Sequence, residues 1–220
     1  MNLTPIQKYL STVLVFLALA PSFVTAAPST PSGPLLLRTA RGESVERIPV
    51  WMMRQAGRHM RAYRDLVKAN PTFRQRSENP KLSRDISLQP LERYGIDGVI
   101  LFSDILTPLP AMGVDFDITE SGKIRIVPVR TREDFQNRLH RVSVTEFRRK
   151  CNFVGSVLKE LRNEVSISSP DTTVIGFVGL PFTLASYLVE GKTGVSEGFP
   201  NIRELIKRSP DILHDMLSLL

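Results

Sequence analysis

Gly98-Val-Ile-Leu-Phe-Ser-Asp-Ile-Leu-Thr-Pro-Leu-Pro110 is the stretch on which the fold turns. Its first five residues form an apolar run of strand length, and the run ends at Ser103-Asp104 ahead of a Pro-rich turn. Working outward, Ile48–Met53 (IPVWMM), Ile124–Val129 (IRIVPV) and Thr173–Val178 (TVIGFV) have the same length and enrichment in β-branched residues. Pro128 places the third of these near an edge or at a strand end. Between the runs lie helical patterns at Pro80–Tyr94 and Thr145–Val165. In the second, Ser143 and Glu146 can form a capping box, and Phe147, Cys151, Val154, Leu158, Leu161 and Val165 recur at helical spacing. That spacing turns Cys151 toward the core as a small hydrophobe, with no basic partner on its face to activate it as a nucleophile. Strands separated by mostly helical segments predict βαβ units and a parallel sheet. Four strands are too few for a complete (β/α)₈ barrel, which takes about 250 residues. Asp211–Leu220 is still amphipathic where the sequence stops, so about half of such a barrel is expected.

Composition narrows the classes. Of 220 residues, 42% are hydrophobic and 23% charged, which predicts a folded globular chain and excludes extensive disorder. One Cys excludes a disulfide framework. Cys151, His59, His140 and His214 show no ligand-like spacing, so no metal site is expected. The net charge of +7 is uneven: residues 1–42 contain Lys8, Arg38 and Arg41 and no acid. The 29 basic residues less these three, against 22 acidic, leave only +4. The mature part also lacks a basic stripe with interleaved aromatics, so nucleic-acid binding is not expected.

Residues 1–42 read as a targeting leader, with residues 43–220 as one domain. Tyr9–Ala20 is an apolar run too short to span a bilayer, and small residues permit cleavage after Ala26 or Ala27. The acid-poor Ser/Thr/Pro segment that follows resembles a transit peptide. A signal-like part followed by a transit-like part predicts a plastid destination reached through the secretory system; simple secretion, an apolar N-terminal helix and a cytoplasmic location are the alternatives. No membrane span is expected in the mature protein.

Three segments carry candidate chemistry. Arg54 and Arg58 in Trp51-Met-Met-Arg-Gln-Ala-Gly-Arg58 follow a strand directly, with Arg61 and Arg64 close behind. Guanidiniums bind carboxylates bidentately, so a cluster at a strand end suits a polycarboxylate or phosphate; a solvated face is the other reading. Asp104, between apolar neighbours, is a partly buried carboxylate that needs donors or a cation to stay ionised, or else caps the next turn. Tyr187, on an apolar segment, wants a hydrogen-bond partner from the core or a ligand. Gly191-Lys192-Thr193 imitates a P-loop, but position 186 is Ser rather than the required Gly, and no GxGxxG fingerprint is present.

At Met53–Arg58 (MRQAGR), Ile86–Leu91, Asp97–Pro110 and Gly176–Gly191 the sequence resembles the uroporphyrinogen decarboxylase family. The resemblance implies a (β/α)₈ TIM-type barrel, here incomplete, with about the first half present. It implies a carboxy-lyase that converts the four acetate side chains of uroporphyrinogen III to methyls, giving coproporphyrinogen III for haem and chlorophyll synthesis. Such enzymes use no metal or organic cofactor and are commonly homodimers. By the same resemblance Arg54 and Arg58 bind substrate carboxylates, with Gln55, Ala56 and Gly57 shaping their loop. Asp104 accepts from the pyrrole N–H groups and stabilises the positive charge formed on ring protonation, Arg54 is a candidate proton donor, and Tyr187 lies at the substrate. The family's later Ser and His have no counterpart here, His214 is not one of them, and Glu190–Gly194 departs from the usual Gly-richer loop, so the chain alone is expected to be inactive. Two other readings are a corrinoid or thiol methyltransferase of the same superfamily, and a non-catalytic truncated paralogue.

Overall fold

The computed structural model describes residues 33–52, 56–119, 122–192 and 198–220. The leader up to residue 32 lies outside them, as do Met53, Arg54 and Gln55.

The best-specified element is the helix α4 (Pro80–Tyr94), which has the bounds expected from sequence. Its start is local chemistry: the Asn79 side chain accepts from Leu82 N–H at 3.2 Å, and Pro80 supplies the fixed φ of the first turn. Its end is Gly95 at φ 61°, whose N–H reaches the Leu91 carbonyl. Before it come α1 (Leu35–Ala40), α2 (Arg61–Ala69) and α3 (Phe73–Ser77).

Strand β1 (Gly98–Ile100) follows α4 and pairs in parallel with β4 (Thr173–Ile175), in the register Gly98↔Thr173 to Ile100↔Ile175. Between them lie an antiparallel hairpin of β2 (Phe116–Ile118) and β3 (Ile124–Ile126), then α5 (Arg132–Arg138), α6 (Val144–Lys150) and α7 (Asn152–Ser168). After β4 come α8 (Pro181–Glu190), α9 (Pro200–Arg208) and α10 (Pro210–Leu219). The fold is α/β, part of a barrel in which α4 and α7 pack side by side against one face of the β1–β4 pair. Val99, Leu101, Val157, Leu161 and Val165 form that core. A larger core gathers Leu106, Leu109 and the hairpin against α8–α10.

Five expectations are corrected. Ile48–Met52 runs beside β1 without forming a ladder. Pro49 removes one donor, and the Val50 N–H goes to the Asp97 carboxylate (2.6 Å) while Asp97 N–H takes the Val50 carbonyl (2.8 Å). The run at Ile124–Val129 belongs to the hairpin and not to the parallel sheet; beyond β3 its backbone turns to α8, with Val129 N–H donating to Leu188 C=O. The helix expected over Thr145–Val165 breaks at Cys151 (φ −101°, ψ 13°). Its first part covers the 3₁₀ turn Leu109–Met112, where Lys150 Nζ reaches the Ala111 carbonyl, and its second part covers α4, two directions one straight helix cannot serve. Ser143 caps Glu146 N–H at 3.1 Å as expected, but the Glu146 carboxylate turns to Lys150. Cys151 is half-buried in a cavity wall rather than in the core, and burial pushes its thiol above the ordinary value.

Leu35–Ala40, read from composition as leader, is built into the fold. Leu35 N–H donates to Asp171 C=O at 2.9 Å, and the buried Arg38 guanidinium bonds Glu46 (2.9 Å) and the Ser44 carbonyl. Among the described residues no helix is long and apolar enough to cross a membrane.

Candidate active site

The site begins where β1 leaves the sheet. Leu101 N–H still reaches Ile175 C=O at 3.0 Å, but the next residue is handed to α4. Ser87 Oγ accepts from Phe102 N–H, and Ser83 Oγ donates to Phe102 C=O, both at 2.8 Å. A strand end is thus clamped by two serines one helical turn apart, both buried. The signal was present in the sequence as Ser83 and Ser87 at i, i+4 on an otherwise apolar helix face, but what they bond to was not. The Phe102 ring lies between Tyr63 and Phe73, with centroids 6.0 and 5.3 Å away.

Two residues beyond this clamp, Asp104 folds into a local turn. Its Oδ1 accepts from Leu106 N–H at 2.9 Å and its carbonyl accepts from Thr107 N–H. Ser103 and Thr107 hydroxyls share a hydrogen bond of 3.0 Å across the same turn. The capping role and the buried-carboxylate role therefore coincide in one residue. Burial pushes the Asp104 carboxyl above its ordinary value, and the Leu106 N–H offsets only part of that. Among the described residues no salt bridge reaches it.

The second wall comes from the segment after β4. A Cβ on Gly179 would sit 2.8 Å from Leu184 Cδ2 and 3.1 Å from Ile105 Cβ, so a side chain there would have to push both neighbours aside where the two strand-end loops touch beside Asp104. Together these loops and the α6–α7 junction enclose a cavity of about 440 Å³, lined by Ser103, Asp104, Thr107, Phe177 and Gly179 with Phe147, Arg148 and Cys151. The lining is mainly apolar with one carboxylate, Asp104, and the Arg148 guanidinium at its exposed side, an arrangement able to accept hydrogen bonds from an N–H-rich ligand that also carries acidic groups. Among the described residues, no cluster of three or more His, Cys, Asp or Glu side chains is placed to hold a metal ion.

The other expected site residues are distributed as follows. Arg54 and Gln55 lie outside the described residues. Ala56 packs on Met60, Tyr63 and Ile86, and Gly57 C=O accepts from Met60 N–H at 2.8 Å, so the loop runs directly into α2. Arg58 is exposed, and its carbonyl holds the Arg64 guanidinium at 2.8 Å. Arg61 and Arg64 line a separate depression with His59 and Arg93, while Arg61 leans on Asp65. Tyr187 is half-buried on α8 against the larger core and is not in the wall of the Asp104 cavity.

The segment Arg47–Val50 is tethered to Asp97, the residue just before β1. Arg47 forms a bidentate pair with Asp97 (2.6 and 2.7 Å), and that same carboxylate holds Val50. Arg47 together with the Val50 N–H holds the Asp97 carboxyl below its ordinary value.

A family model described as uroporphyrinogen decarboxylase (URO-D) matches residues 32–220. Among curated proteins, the uroporphyrinogen decarboxylase of Prochlorococcus marinus (strain MIT 9211) is 53% identical over 189 residues, covering 86% of this chain and 51% of that protein. Those of Synechococcus sp. (strain CC9902) and Thermosynechococcus vestitus (strain NIES-2133 / IAM M-273 / BP-1) are 54% and 52% identical, covering 84% of this chain and 50% and 52% of theirs. The chain thus spans about half the length of the curated relatives it matches. Among solved structures, a methyltransferase from Methanosarcina mazei superposes with a TM-score of 0.61 at 21% identity, over 84% of this chain and 50% of that one, a likeness of fold.

Proposed function

Because the chain belongs to the uroporphyrinogen decarboxylase family, we propose that it supplies the N-terminal half of an enzyme that decarboxylates the four acetate side chains of uroporphyrinogen III to give coproporphyrinogen III. The observation that carries this reading is Asp104: one oxygen is tied to Leu106 N–H, and the carboxylate lies in a largely apolar cavity at the end of β1. Pyrrole N–H groups donate to it. Protonation of the pyrrole ring carbon next to the one bearing the acetate makes the ring cationic, and the Asp104 carboxylate stabilises that charge without having to reorganise. The bond between the acetate CH₂ and its carboxylate then breaks, its electron pair flowing into the ring as an exocyclic double bond; CO₂ leaves, the exocyclic carbon takes a proton and the adjacent ring carbon gives up the one it gained, so each step replaces a carboxylate by hydrogen. Arg54 and Arg58 hold the remaining carboxylates, with Gln55 to Gly57 shaping their loop, and Tyr187 meets a side chain of the macrocycle once the second half is in place.

The test is coproporphyrinogen formation by the protein completed with its second half. Asp104→Ala and Arg54→Ala are each expected to slow it by about 100-fold or more; unchanged rates in both would refute the assignment.

A plastid destination and a homodimer of the completed protein belong to the same proposal, the first supported by the leader and by the cyanobacterial origin of the relatives. The removable segment is proposed to end before Leu35, since that side chain is 1% exposed within the fold. Residues 1–34 fused to a fluorescent protein should direct it to the plastid, and a diffuse cytosolic signal would exclude this. Light scattering of the completed protein reports the dimer.

A further inference from the structure

Two hydroxyls stand on the same turn as the Asp104 carboxylate, and their protons can be counted. Ser103 Oγ and Thr107 Oγ1 lie 3.0 Å apart, one donating to the other, and both residues line the cavity that holds Asp104. Thr107 Oγ1 also accepts from Asp104 N–H at 3.4 Å. A hydroxyl donates once, so the pair carries two protons and its shared bond uses one of them. Whichever residue donates within the pair, the other keeps an O–H with no acceptor among the described residues. Set in a largely apolar wall, such a donor is suited to an acceptor carried by the ligand. Asp104 offers the complementary group: Oδ1 takes Leu106 N–H, and among the described residues no hydrogen bond reaches the other oxygen. One turn therefore presents an acceptor and a spare neutral donor to a single cavity.

A pyrrole that gives its N–H to Asp104 brings its own acetate into the same cavity, and that acetate is an acceptor. The neutrality of the spare donor matters to the chemistry. A guanidinium on the reacting carboxylate would stabilise the ionised ground state, whereas the transition state moves that charge into the ring as CO₂ departs. A hydroxyl orients the same group without a counter-charge. We infer that Ser103 and Thr107 together hold the carboxylate of the acetate that reacts, one O–H donating to it while Asp104 takes the N–H of its ring. The guanidiniums of the arginine loop, and of Arg148 at the exposed side of the cavity, are left to the carboxylates that stay. The inference rests on the decarboxylase reading above and adds to it the residues that select the reacting side chain.

The test uses the protein completed with its second half and compares uroporphyrinogen III, which carries acetates, with coproporphyrinogen III, which carries methyls in their place. Removing both hydroxyls, in Ser103→Ala/Thr107→Val, should lower kcat/KM for uroporphyrinogen III by about 10- to 100-fold. Each single substitution leaves one O–H able to turn to the ligand and should cost about twofold, so the double loss exceeds the product of the singles. The inhibition constant of coproporphyrinogen III, which has no acetate to hold, should change by less than about twofold, whereas Asp104→Ala weakens both ligands. Binding of coproporphyrinogen III also reports that a variant is folded. Should the double variant not fold, Ser103→Cys/Thr107→Val, which keeps the volume but only a weak S–H donor, takes its place with the same expected loss. Losses that merely multiply, a double variant as active as the unsubstituted protein, or an equal loss of coproporphyrinogen III binding would overturn the inference. Coproporphyrinogen formation that is indifferent to the double substitution removes the hydroxyl role alone; no product from the unsubstituted completed protein removes the decarboxylase reading and this inference with it.

Discussion

Replacing Gly179 by Ala probes the point where the two strand-end loops meet. The added methyl would lie 2.8 Å from Leu184 Cδ2 and 3.1 Å from Ile105 Cβ, against an ordinary carbon–carbon separation of about 3.5–4.0 Å. The Leu184 methyl is at the end of a side chain but is only 3% exposed, so it has little room to swing. Ile105 Cβ sits one bond from the backbone, next to Asp104, and can yield only if that backbone moves. Overpacking of this size costs about 1–3 kcal/mol. For a chain of this length that lowers Tm by about 2–12 °C, read by circular dichroism. Displacing Asp104 should also slow the completed enzyme by about 10- to 100-fold. Adding Leu184→Ala removes one of the two clashing groups, so the double variant should be less destabilised than the sum of the singles, with a coupling of about 0.5–2 kcal/mol. A Tm shift under about 1 °C together with an additive cycle would show that the loops are not in contact as described.

Asp97→Asn removes the charge that holds Val50 and the bidentate guanidinium; it should cost the fold about 2 kcal/mol at pH 7. Because the folded carboxyl lies below its ordinary value, this stabilisation is present above the unfolded carboxylate pKa of about 3.9 and is lost as pH falls through the lower folded value, so the Tm gap should close in acid. A gap that persists in strong acid would contradict the ion-pair account. Asp104→Asn has the opposite sign: the folded carboxyl is raised, so its protonated form favours folding below about pH 3.9 and that benefit is lost as pH rises through the folded value. At pH 7 the amide keeps an acceptor for Leu106 N–H without a buried charge, and Tm should rise while decarboxylation by the completed protein falls. A lower Tm at pH 7 would refute it. Ser87→Ala strands the Phe102 N–H and should destabilise by about 1–3 kcal/mol, measured by urea unfolding; no change in midpoint would mean the clamp contributes nothing.

Much of this was legible in the chain because its causes are local. Asn79, Pro80 and Gly95 set the bounds of α4 with interactions spanning four residues or fewer, and sequence alone placed both ends. Gly98–Ile100 and Thr173–Ile175 were recognisable as strands from their own composition, and Asp104 was marked by standing directly after an apolar run. Other features are set by partners far along the chain. The hairpin strand β2 exists because Phe116–Ile118 finds Ile124–Ile126, and Ile48–Met52 fails to form a ladder because Asp97 takes its donor. The break at Cys151 arises because two stretches of one amphipathic pattern cover different neighbours. Arg38 was counted with a basic leader and is instead a buried ion-pair partner.

The family, the parallel α/β character, the bounds of the main helix and the position of Asp104 after an apolar run can all be read along the chain, since each is written in spacing or in side-chain chemistry within a short window. Folding alone reveals that Ser83 and Ser87 clamp the strand end, that Gly179 sits tightly against Ile105 and Leu184, and that Tyr187 stands outside the Asp104 cavity. Those are contacts between residues distant in the chain, and a contact of that kind has no energy until the intervening elements have folded and brought both partners to the same place.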